Sequence, residues 1–450
     1  MANEDFTMNE MKSIVDFGDY FRDKYSDDSL VRYFQYHLRK ESTTLYMLNN
    51  EFQDDKIKQV FELNQRIWSN ITTFHSVPER GKKMALQYHK ELFDMIDEQL
   101  LLMNRIAERE SRWILYPLFV LARELVMLVK ELRKHLSFNL TTYVERCGRS
   151  VHRSFTLCLN DRNPNKLENR RSGVYLFINL EFKIYHKLNN RDMIKNLVKV
   201  VKSRQEDRFE PLMSCHESLC SIYNSQEVTY NYYMGQYYGC IENNYEKAFE
   251  YLNLAYLGCN DGYKSQLNKI LILLIPFGLL SHRKLVHQGL LSKLYGGKKL
   301  KSNVNQDNIY ENDERMLGQL YKEIIKCCRT GNIVRYDNLV TITKSNQIFF
   351  LRNGLYVSMQ LLRELVLLRY VEIIYQLNEK MTIIPLEMIY IAKFYGQKKK
   401  VTITTEAINE LECELACLIS KKMIKGYLSH GNKCMVVSKT DPFPNLKIVK

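Results

Sequence analysis

TTEAINELECELACLISKKMIKGYLSHGNKCMVVS, the sequence of residues 404–438, decides the fold at the C-terminal end of this chain. Thr404 or Thr405 can cap a helix here, because a threonine hydroxyl accepts a hydrogen bond from a backbone N–H of the first turn. Apolar residues then recur at three- and four-residue spacing, which predicts one buried helix face: Ile408, Leu411, Leu415 and Leu418. Two strand-like segments, 423–428 and 434–438, follow around a polar turn and predict a hairpin.

Two further helices precede this stretch. The first is the apolar run 360–377, and the second covers 386–394, directly after Pro385. A proline is tolerated at the start of a helix, where the missing N–H has no partner to lose. Three helices followed by a hairpin predict a winged helix.

Residues 229–256, TYNYYMGQYYGCIENNYEKAFEYLNLAY, resemble a tetratricopeptide-like helical hairpin. Gly235, Ala248 and Ala255 let two antiparallel helices approach closely, and Tyr238 and Leu252 are predicted to fill the space between them. A single hairpin cannot cover its own apolar faces, so it is expected to stack on neighbours, beginning with a helix over 267–280.

The composition favours helix throughout the chain, since only 18 Gly and 8 Pro occur in 450 residues. Residues 5–202 carry successive helical patterns, and one apolar stripe is especially regular: Trp113, Leu115, Leu118, Ala122, Leu125, Val126 and Val129. Residues 160–171 are predicted to form a surface turn with little to bury, and 296–313 an exposed loop. We therefore predict an all-α solenoid of helical repeats followed by a C-terminal winged helix, divided into 1–205, 206–335 and 336–446.

Charge and cysteine content narrow the class of protein. The net charge of +14 attracts polyanions such as nucleic acid or an acidic protein, although it is spread along the chain. The 11 cysteines are odd in number and lack disulfide-framework spacing, and no apolar leader opens the sequence. These features predict a reducing nuclear or cytoplasmic location without a membrane span.

A solenoid of helical repeats that leads directly into a winged helix is similar to the architecture of the PCI family, the scaffolds shared by the proteasome lid, the COP-nine signalosome and a translation initiation factor. The chain also contains the motifs RWILYP (112–117), CLNDRN (158–163), GVYLFINLEFKIYHKL (173–188), ILILLIPFGLL (270–280), residues 424–426 and DPFP (441–444). These motifs resemble the branch of the family that contains signalosome subunit twelve and the Thp-type mRNA-export subunits, with subunit twelve nearer. The resemblance implies pairing with a second PCI protein of the Thp or Sac type and with a small, acidic, disordered Sem-type protein.

Catalytic and metal chemistry find little support in the sequence. Cys215, His216 and Cys220 lack the second ligand pair of a structural zinc site. Cys413 and Cys417 also lack one, and they are expected to act as small hydrophobic residues. The chain contains no GxGxxG, GxxxxGK[ST], GxSxG or HExxH motif. We expect no enzyme activity, no cofactor, no metal and no small-molecule substrate.

Nucleic-acid binding is the main functional hypothesis, because winged helices can contact phosphates through lysines around the third helix and the wing. The candidate residues are Lys398, Lys399, Lys400, Lys421, Lys422, Lys425 and Lys433. The same lysines can instead form a solvated rim or hold an acidic partner. Four glutamates of the third helix would repel a phosphate backbone: Glu406, Glu410, Glu412 and Glu414. Base stacking on the tyrosines of 230–238 is a weaker alternative, since helical spacing spreads them over several faces.

The second strand of the hairpin is predicted to be an exposed edge through which another PCI subunit pairs. Its residues are Cys434, Met435, Val436, Val437 and Ser438. The sequence thus predicts a non-enzymatic scaffold that forms a nucleic-acid platform, RNA or DNA, and the resemblance implies that it acts in transcription-coupled mRNA processing, splicing or export. The alternative is a scaffold subunit of a signalosome or a lid-like complex that does not contact nucleic acid.

Overall fold

A computed structural model describes residue 36 and residues 55–76, 82–135, 140–165, 168–205, 217–281, 309–394 and 403–444. The described residues form helices and one small sheet, so the predicted all-α fold of helical repeats followed by a winged helix is confirmed. No described helix is long and apolar enough to cross a bilayer. The chain divides into two compact units, Met1–Tyr233 and Met234–Lys450.

The helices of the first part of the chain are α1 (Asp55–Ser76), α2 (Lys82–Ala107), α3 (Leu115–His135), α4 (Leu140–Leu159), α5 (Val174–Leu188), α6 (Arg191–Gln205) and α7 (Glu217–Cys240). From α1 to α6, each helix packs against the next one in the chain. The regular apolar stripe predicted around α3 is buried along its whole length. The repeating helical pattern is therefore confirmed in this unit.

The turn between α4 and α5 differs from the prediction of an exposed surface turn, because Asp161 is buried in it. Its carboxylate accepts hydrogen bonds from the Arg170 side chain at 2.8 Å and from the backbone N–H groups of Asn163 and Arg170, each at 2.9 Å. Arg170 also donates to the Ala107 carbonyl oxygen. These bonds fasten the turn to the end of α2, which explains why the CLNDRN motif is structural.

Burial acts to raise the pKa of Asp161, but the hydrogen bonds from Arg170 and from the backbone N–H groups outweigh it. The pKa of this carboxyl group therefore lies below its ordinary value, and the group is ionised in the folded protein at neutral pH.

Gly173, in the GVYLFINLEFKIYHKL motif, lies at the end of the same turn. A Cβ atom on it would come within 2.7 Å of Leu115 and 2.8 Å of Cys158, so a larger residue would not fit there without a shift of these side chains.

The remaining helices are α8 (Tyr245–Gly258), α9 (Lys264–Ser281), α10 (Ile309–Thr330), α11 (Ile333–Asp337), α12 (Lys344–Arg352), α13 (Tyr356–Leu377), α14 (Leu386–Ala392) and α15 (Thr405–Ser420). The predicted tetratricopeptide-like hairpin is α7 with α8, and the predicted neighbouring helix is α9. A Cβ atom on Gly235 would lie 2.4 Å from Leu252 Cγ, and one on Gly239 would lie 2.2 Å from the Phe277 ring. The small residues thus allow the close helix contacts that the sequence predicts.

The winged helix contains β1 (Ile383–Pro385), β2 (Gly426–Ser429) and β3 (Cys434–Val437) in the antiparallel order β1-β3-β2. The prediction that residues 434–438 form an exposed edge is wrong. The backbone N–H of Val437 donates to Thr382 in the β1 direction, whereas that of Ser438 donates to Lys425 beside β2. Because backbone groups alternate in direction along a strand, β3 is bonded on both sides and has no open edge.

Gly426 and Phe443 explain two further motif positions of the winged helix. A Cβ atom on Gly426 would lie 2.2 Å from the Val436 carbonyl oxygen, so glycine is required for β2 to reach β3. Phe443, in the DPFP motif, is buried with its ring centroid 5.5 Å from that of Tyr375. Gly426 thus brings β2 against β3, and Phe443 packs the segment after the sheet against α13.

The cysteines of α15 differ from expectation, since Cys413 and Cys417 are both exposed and do not act as core hydrophobes. Helical spacing places them opposite the buried stripe formed by Ile408, Leu411 and Leu415. Cys215 and His216 lie outside the described residues. Within the described part of the chain, no group of three or more His, Cys, Asp or Glu side chains is arranged to hold a metal ion.

Candidate interaction surface of the winged helix

The predicted basic surface is only partly described by the structure. Lys398, Lys399 and Lys400 lie outside the described residues. Lys421 Nζ lies 2.6 Å from the Glu364 carboxylate, and Lys425 Nζ lies 3.2 Å from that of Asp441. Two of the predicted phosphate-binding lysines therefore have protein carboxylates as partners.

Lys422 and Lys433 are exposed, and among the described residues neither has a carboxylate partner. Both have positive φ angles, 57° and 47°, at the two turns that flank β2. Non-glycine residues adopt this conformation in tight turns, so the positions of these lysines follow from the turn geometry. Whether they contact nucleic acid stays a prediction.

The outer face of α15 is acidic near its N-terminus. Glu406 and Glu410 are exposed there, and Glu412 accepts a hydrogen bond from His430 Nδ1 at 2.8 Å. Thr404 caps the helix by accepting a hydrogen bond from the Ala407 N–H, as predicted. An acidic outer face repels phosphate and makes this helix a poor groove-binding element.

Arg363 connects α15 to the helical repeats that precede the winged helix. Its guanidinium group donates to Asp337 at 2.7 and 3.1 Å and to Glu414 at 2.7 Å. Burial acts to lower the pKa of Arg363, but the hydrogen bonds and charges of the two carboxylates outweigh it and raise the pKa. This contact fixes α15 against α11 and α13, and no local pattern in the sequence predicts it.

Among the described residues, β1 has a neighbouring strand on one side only, so its other side is an open edge of the sheet. The Thr382 carbonyl oxygen accepts a hydrogen bond from the Val437 N–H, and the Leu386 N–H donates to the Lys433 carbonyl oxygen. Because backbone groups alternate in direction along a strand, the N–H and C=O of Ile383 point away from the sheet. Ile383 is 58% exposed, and Leu377 and Met381, which precede it, are 77% and 59% exposed. We call residues 381–385 the β1 edge.

A shallow groove of about 570 Å³ lies beside the β1 edge. Its lining residues are Tyr375, Glu379, Lys380, Met381, Thr382, Ile383 and Lys439. Unpaired strand groups next to exposed apolar side chains are a template for adding a strand from another protein. The opposite edge, β2, presents Tyr427, whose side chain is 62% exposed.

Sequence reasoning missed β1 because it contains only three residues and ends at Pro385. Two adjacent isoleucines immediately before a proline were the available signal, since β-branched residues favour strands and proline is accepted at an edge.

Several tyrosines offered for base stacking are instead buried in the core: Tyr230, Tyr237 and Tyr238.

Comparison with known proteins adds family evidence to this geometry. The PCI domain family matches residues 343–439. Cop9 signalosome complex subunit 12 of Saccharomyces cerevisiae is 38% identical over 448 residues, which cover 96% of this chain and 100% of the yeast protein. COP9 signalosome complex subunit 12 of Candida glabrata is 33% identical, covering 82% of each chain. PCI domain-containing protein 2 homolog of Drosophila melanogaster is 23% identical over 76% of this chain and 75% of its own.

Proposed function

Since this chain belongs to the family of COP9 signalosome complex subunit 12, we propose that it is a non-enzymatic scaffold subunit of a signalosome-type complex. The PCI domain and the signalosome relatives support assembly with other PCI subunits. The observation that carries the proposal within this chain is the β1 edge, where unpaired backbone groups adjoin exposed apolar side chains.

Pairing through the β1 edge has a simple physical basis. A strand from a second PCI subunit would gain the backbone N–H and C=O of Ile383 as hydrogen-bond partners and would bury its side chain. Burial of an aliphatic side chain contributes about 1.5–3 kcal/mol, and each hydrogen bond adds roughly 0.5–1.5 kcal/mol. Together these contributions can anchor a standard protein interface.

Replacing Ile383 with proline is expected to reduce the yield of co-purified PCI subunits by about tenfold or more, because it removes the outward N–H and replaces the branched side chain with a ring closed onto the backbone. The hydrogen bonds between β1 and β3 are retained, because the backbone N–H and C=O of residue 383 do not take part in them. Quantitative mass spectrometry of the affinity-purified full chain measures the yield, and circular dichroism checks folding.

Tyr427→Ser on the opposite edge is the matched control, and it should leave the yield nearly unchanged. Loss of partners in Tyr427→Ser alone would assign pairing to the β2 edge. Unchanged partners in both variants would rule out pairing through the sheet. Absence of PCI subunits from the wild-type preparation would overturn the scaffold proposal itself.

The second candidate is a platform for RNA or DNA, in mRNA processing, splicing or export, built with a Thp- or Sac-type PCI partner and a Sem-type acidic protein. Its support in this chain is the pair of exposed lysines, Lys422 and Lys433. The acidic outer face of α15 and the carboxylate partners of Lys421 and Lys425 weigh against it. The signalosome proposal has the stronger support.

Fluorescence anisotropy with single-stranded RNA and duplex DNA across a salt series separates the two candidates. We expect weak binding with a shallow salt dependence, and little change in Lys422→Glu/Lys433→Glu, because two of the four predicted lysines that the structure describes, Lys421 and Lys425, are paired with carboxylates. A steep salt dependence whose slope falls by roughly 0.7 per lysine replaced, on single strands, would instead favour the platform. Lys199→Glu, an exposed lysine of α6, is the control.

A further inference from the structure

Helix α5 carries an ionisable side chain in the core of its unit. The Glu181 side chain is 0% exposed, and charged residues are almost never fully buried unless they are paired. Its partner is His152 of α4, whose Nδ1 atom lies 3.1 and 3.3 Å from the two carboxylate oxygens. Glu181 therefore reaches across the contact between α4 and α5 to a single histidine.

His152 connects this buried carboxylate to solvent. The His152 side chain is 49% exposed, so a proton can enter or leave the pair without opening of the core. A protonated imidazole supplies the carboxylate with a donor and with the opposite charge, whereas a neutral imidazole supplies at most the donor. The protonation state of His152 therefore decides whether the buried charge of Glu181 is compensated.

The two pKa values shift in the same direction. The hydrogen bond and the charge of Glu181 raise the pKa of His152 above its ordinary value of 6.5, and burial opposes them. Burial raises the pKa of Glu181 above its ordinary value of 4.5, and the hydrogen bond and charge of His152 oppose it. The folded protein therefore holds protons at this pair more tightly than the unfolded chain does.

Ionisable groups also reach this region from the neighbouring helices. Asp97 of α2 is bonded to Arg146 and Ser150 of α4, so its charge is already compensated. Glu124 of α3 is buried, and burial raises the pKa of Tyr233 of α7 to about 12, so the tyrosine is neutral at neutral pH. The described ionisable groups of α6 all lie at the surface: Arg191, Asp192, Lys195, Lys199 and Lys202.

The other titratable groups of α4 and α5 are neutral near pH 7. Burial raises the pKa of Cys147, and burial together with the charge of Glu181 raises the pKa of Tyr185 to about 12. Burial lowers the pKa of His186 to about 4. The permanent cations near the pair are exposed or half-buried: Arg149, Arg153, Lys183 and Lys187. His152 is therefore the cation that is bonded to Glu181.

We infer that His152 and Glu181 form a proton-linked lock between α4 and α5, in which loss of the histidine proton weakens the packing of the two helices. The physical reason is that a buried carboxylate without a cation is costly, so the folded state loses free energy relative to the unfolded chain. The lock belongs to the unit Met1–Tyr233 and does not depend on the proposed scaffold function.

The sign of the pH dependence follows from the two raised pKa values. The contribution of His152 to stability is fully present below pH 6.5 and is lost as the pH rises through its folded-state pKa. Glu181 acts in the same direction above pH 4.5. His186 acts in the opposite direction, but only between pH 6.5 and about 4. Above pH 6.5, the lock therefore weakens as the pH rises.

Hydrogen–deuterium exchange at the histidine ring carbon, followed by mass spectrometry of the full chain, measures the pKa of His152 directly. We expect a value above 6.5 in wild type and a lower value in Glu181→Gln, because glutamine removes the charge that holds the proton. A wild-type value at or below 6.5, or a value that Glu181→Gln leaves unchanged, would overturn the inference.

Urea unfolding followed by tryptophan fluorescence tests the effect on stability, since Trp68 and Trp113 both lie in the same unit as the pair. His152→Gln keeps a hydrogen-bond donor but carries no charge. At about pH 6, its unfolding equilibrium constant should exceed that of wild type by about threefold or more, a charged hydrogen bond discounted for exposure. This difference should disappear as the pH rises through the folded-state pKa of His152.

His75→Gln, an exposed histidine at the end of α1, is the matched control and should follow wild type at each pH. A difference between wild type and His152→Gln that is constant or grows as the pH rises would contradict the lock. So would an equal effect in His75→Gln. Because His152 is half exposed, His152→Gln decides the question even if the buried Glu181→Gln does not fold.

Discussion

Asp161→Ala is expected to lower the free energy of unfolding of the unit Met1–Tyr233 by about 3–5 kcal/mol. This is the typical cost of removing one partner of a buried ion pair, because the other charge is left buried and unpaired. The Asp161 and Arg170 side chains are only 7% and 15% exposed, so water cannot replace the lost carboxylate. Two backbone N–H groups lose their acceptor in addition. The turn that joins α4 to α5 would lose its attachment to the end of α2.

Urea unfolding followed by tryptophan fluorescence measures this effect. Both tryptophans of the chain, Trp68 and Trp113, lie in the same unit as Asp161, so the signal reports on that unit. Asp192→Ala, an exposed aspartate of α6, is the control and should change the unfolding free energy by less than about 0.5 kcal/mol. A loss below about 1 kcal/mol in Asp161→Ala would contradict the structural role of the CLNDRN motif.

The difference in unfolding free energy between wild type and Asp161→Ala is expected to decrease as the pH falls. The folded-state pKa of Asp161 is lowered, so its contribution to stability is present above the ordinary pKa and is lost as pH falls through the folded-state value. The difference between wild type and Asp161→Ala should therefore be constant near neutral pH and should shrink in acid. A difference that grows in acid would show that the carboxyl group is neutral in the folded protein.

Arg363→Met is expected to destabilise the unit Met234–Lys450 by about 2–3 kcal/mol. Removal of the guanidinium group leaves Asp337 and Glu414 facing each other without a cation, while methionine preserves most of the apolar stem. The expected loss is below that of a fully buried pair because the Arg363 side chain remains 21% exposed. The attachment of α15 to α11 should weaken first.

Circular dichroism follows loss of helix in both units, whereas tryptophan fluorescence follows only the unit Met1–Tyr233, because the unit Met234–Lys450 contains no tryptophan. We therefore expect Arg363→Met to shift the circular-dichroism transition to lower urea concentration while the fluorescence transition of the same samples stays in place. Arg329→Met, an exposed arginine at the end of α10, is the matched variant and should have little effect. Equal stability of Arg363→Met and Arg329→Met would show that the two carboxylates need no shared cation.

Helix positions and faces followed from the sequence because they depend on local periodicity. The buried stripe of α15, the Thr404 cap and the close helix approach at Gly235 each rest on residues within a few turns of one another. The motifs that carry the PCI resemblance were readable for the same reason. Their individual roles were not, since Gly173 packs against Leu115 and Arg170, the partner of Asp161, bonds to Ala107, both far away in the chain.

The sequence by itself determined the fold class, the winged helix and the family. Only the tertiary structure decided that β3 is central, that β1 is open, that Asp161 is buried and that Cys413 and Cys417 face solvent. The physical reason is that strand order and side-chain partners depend on contacts between distant segments. Ile383 pairs with Val436 and Arg363 with Glu414 across more than fifty residues, and no local pattern records such pairings.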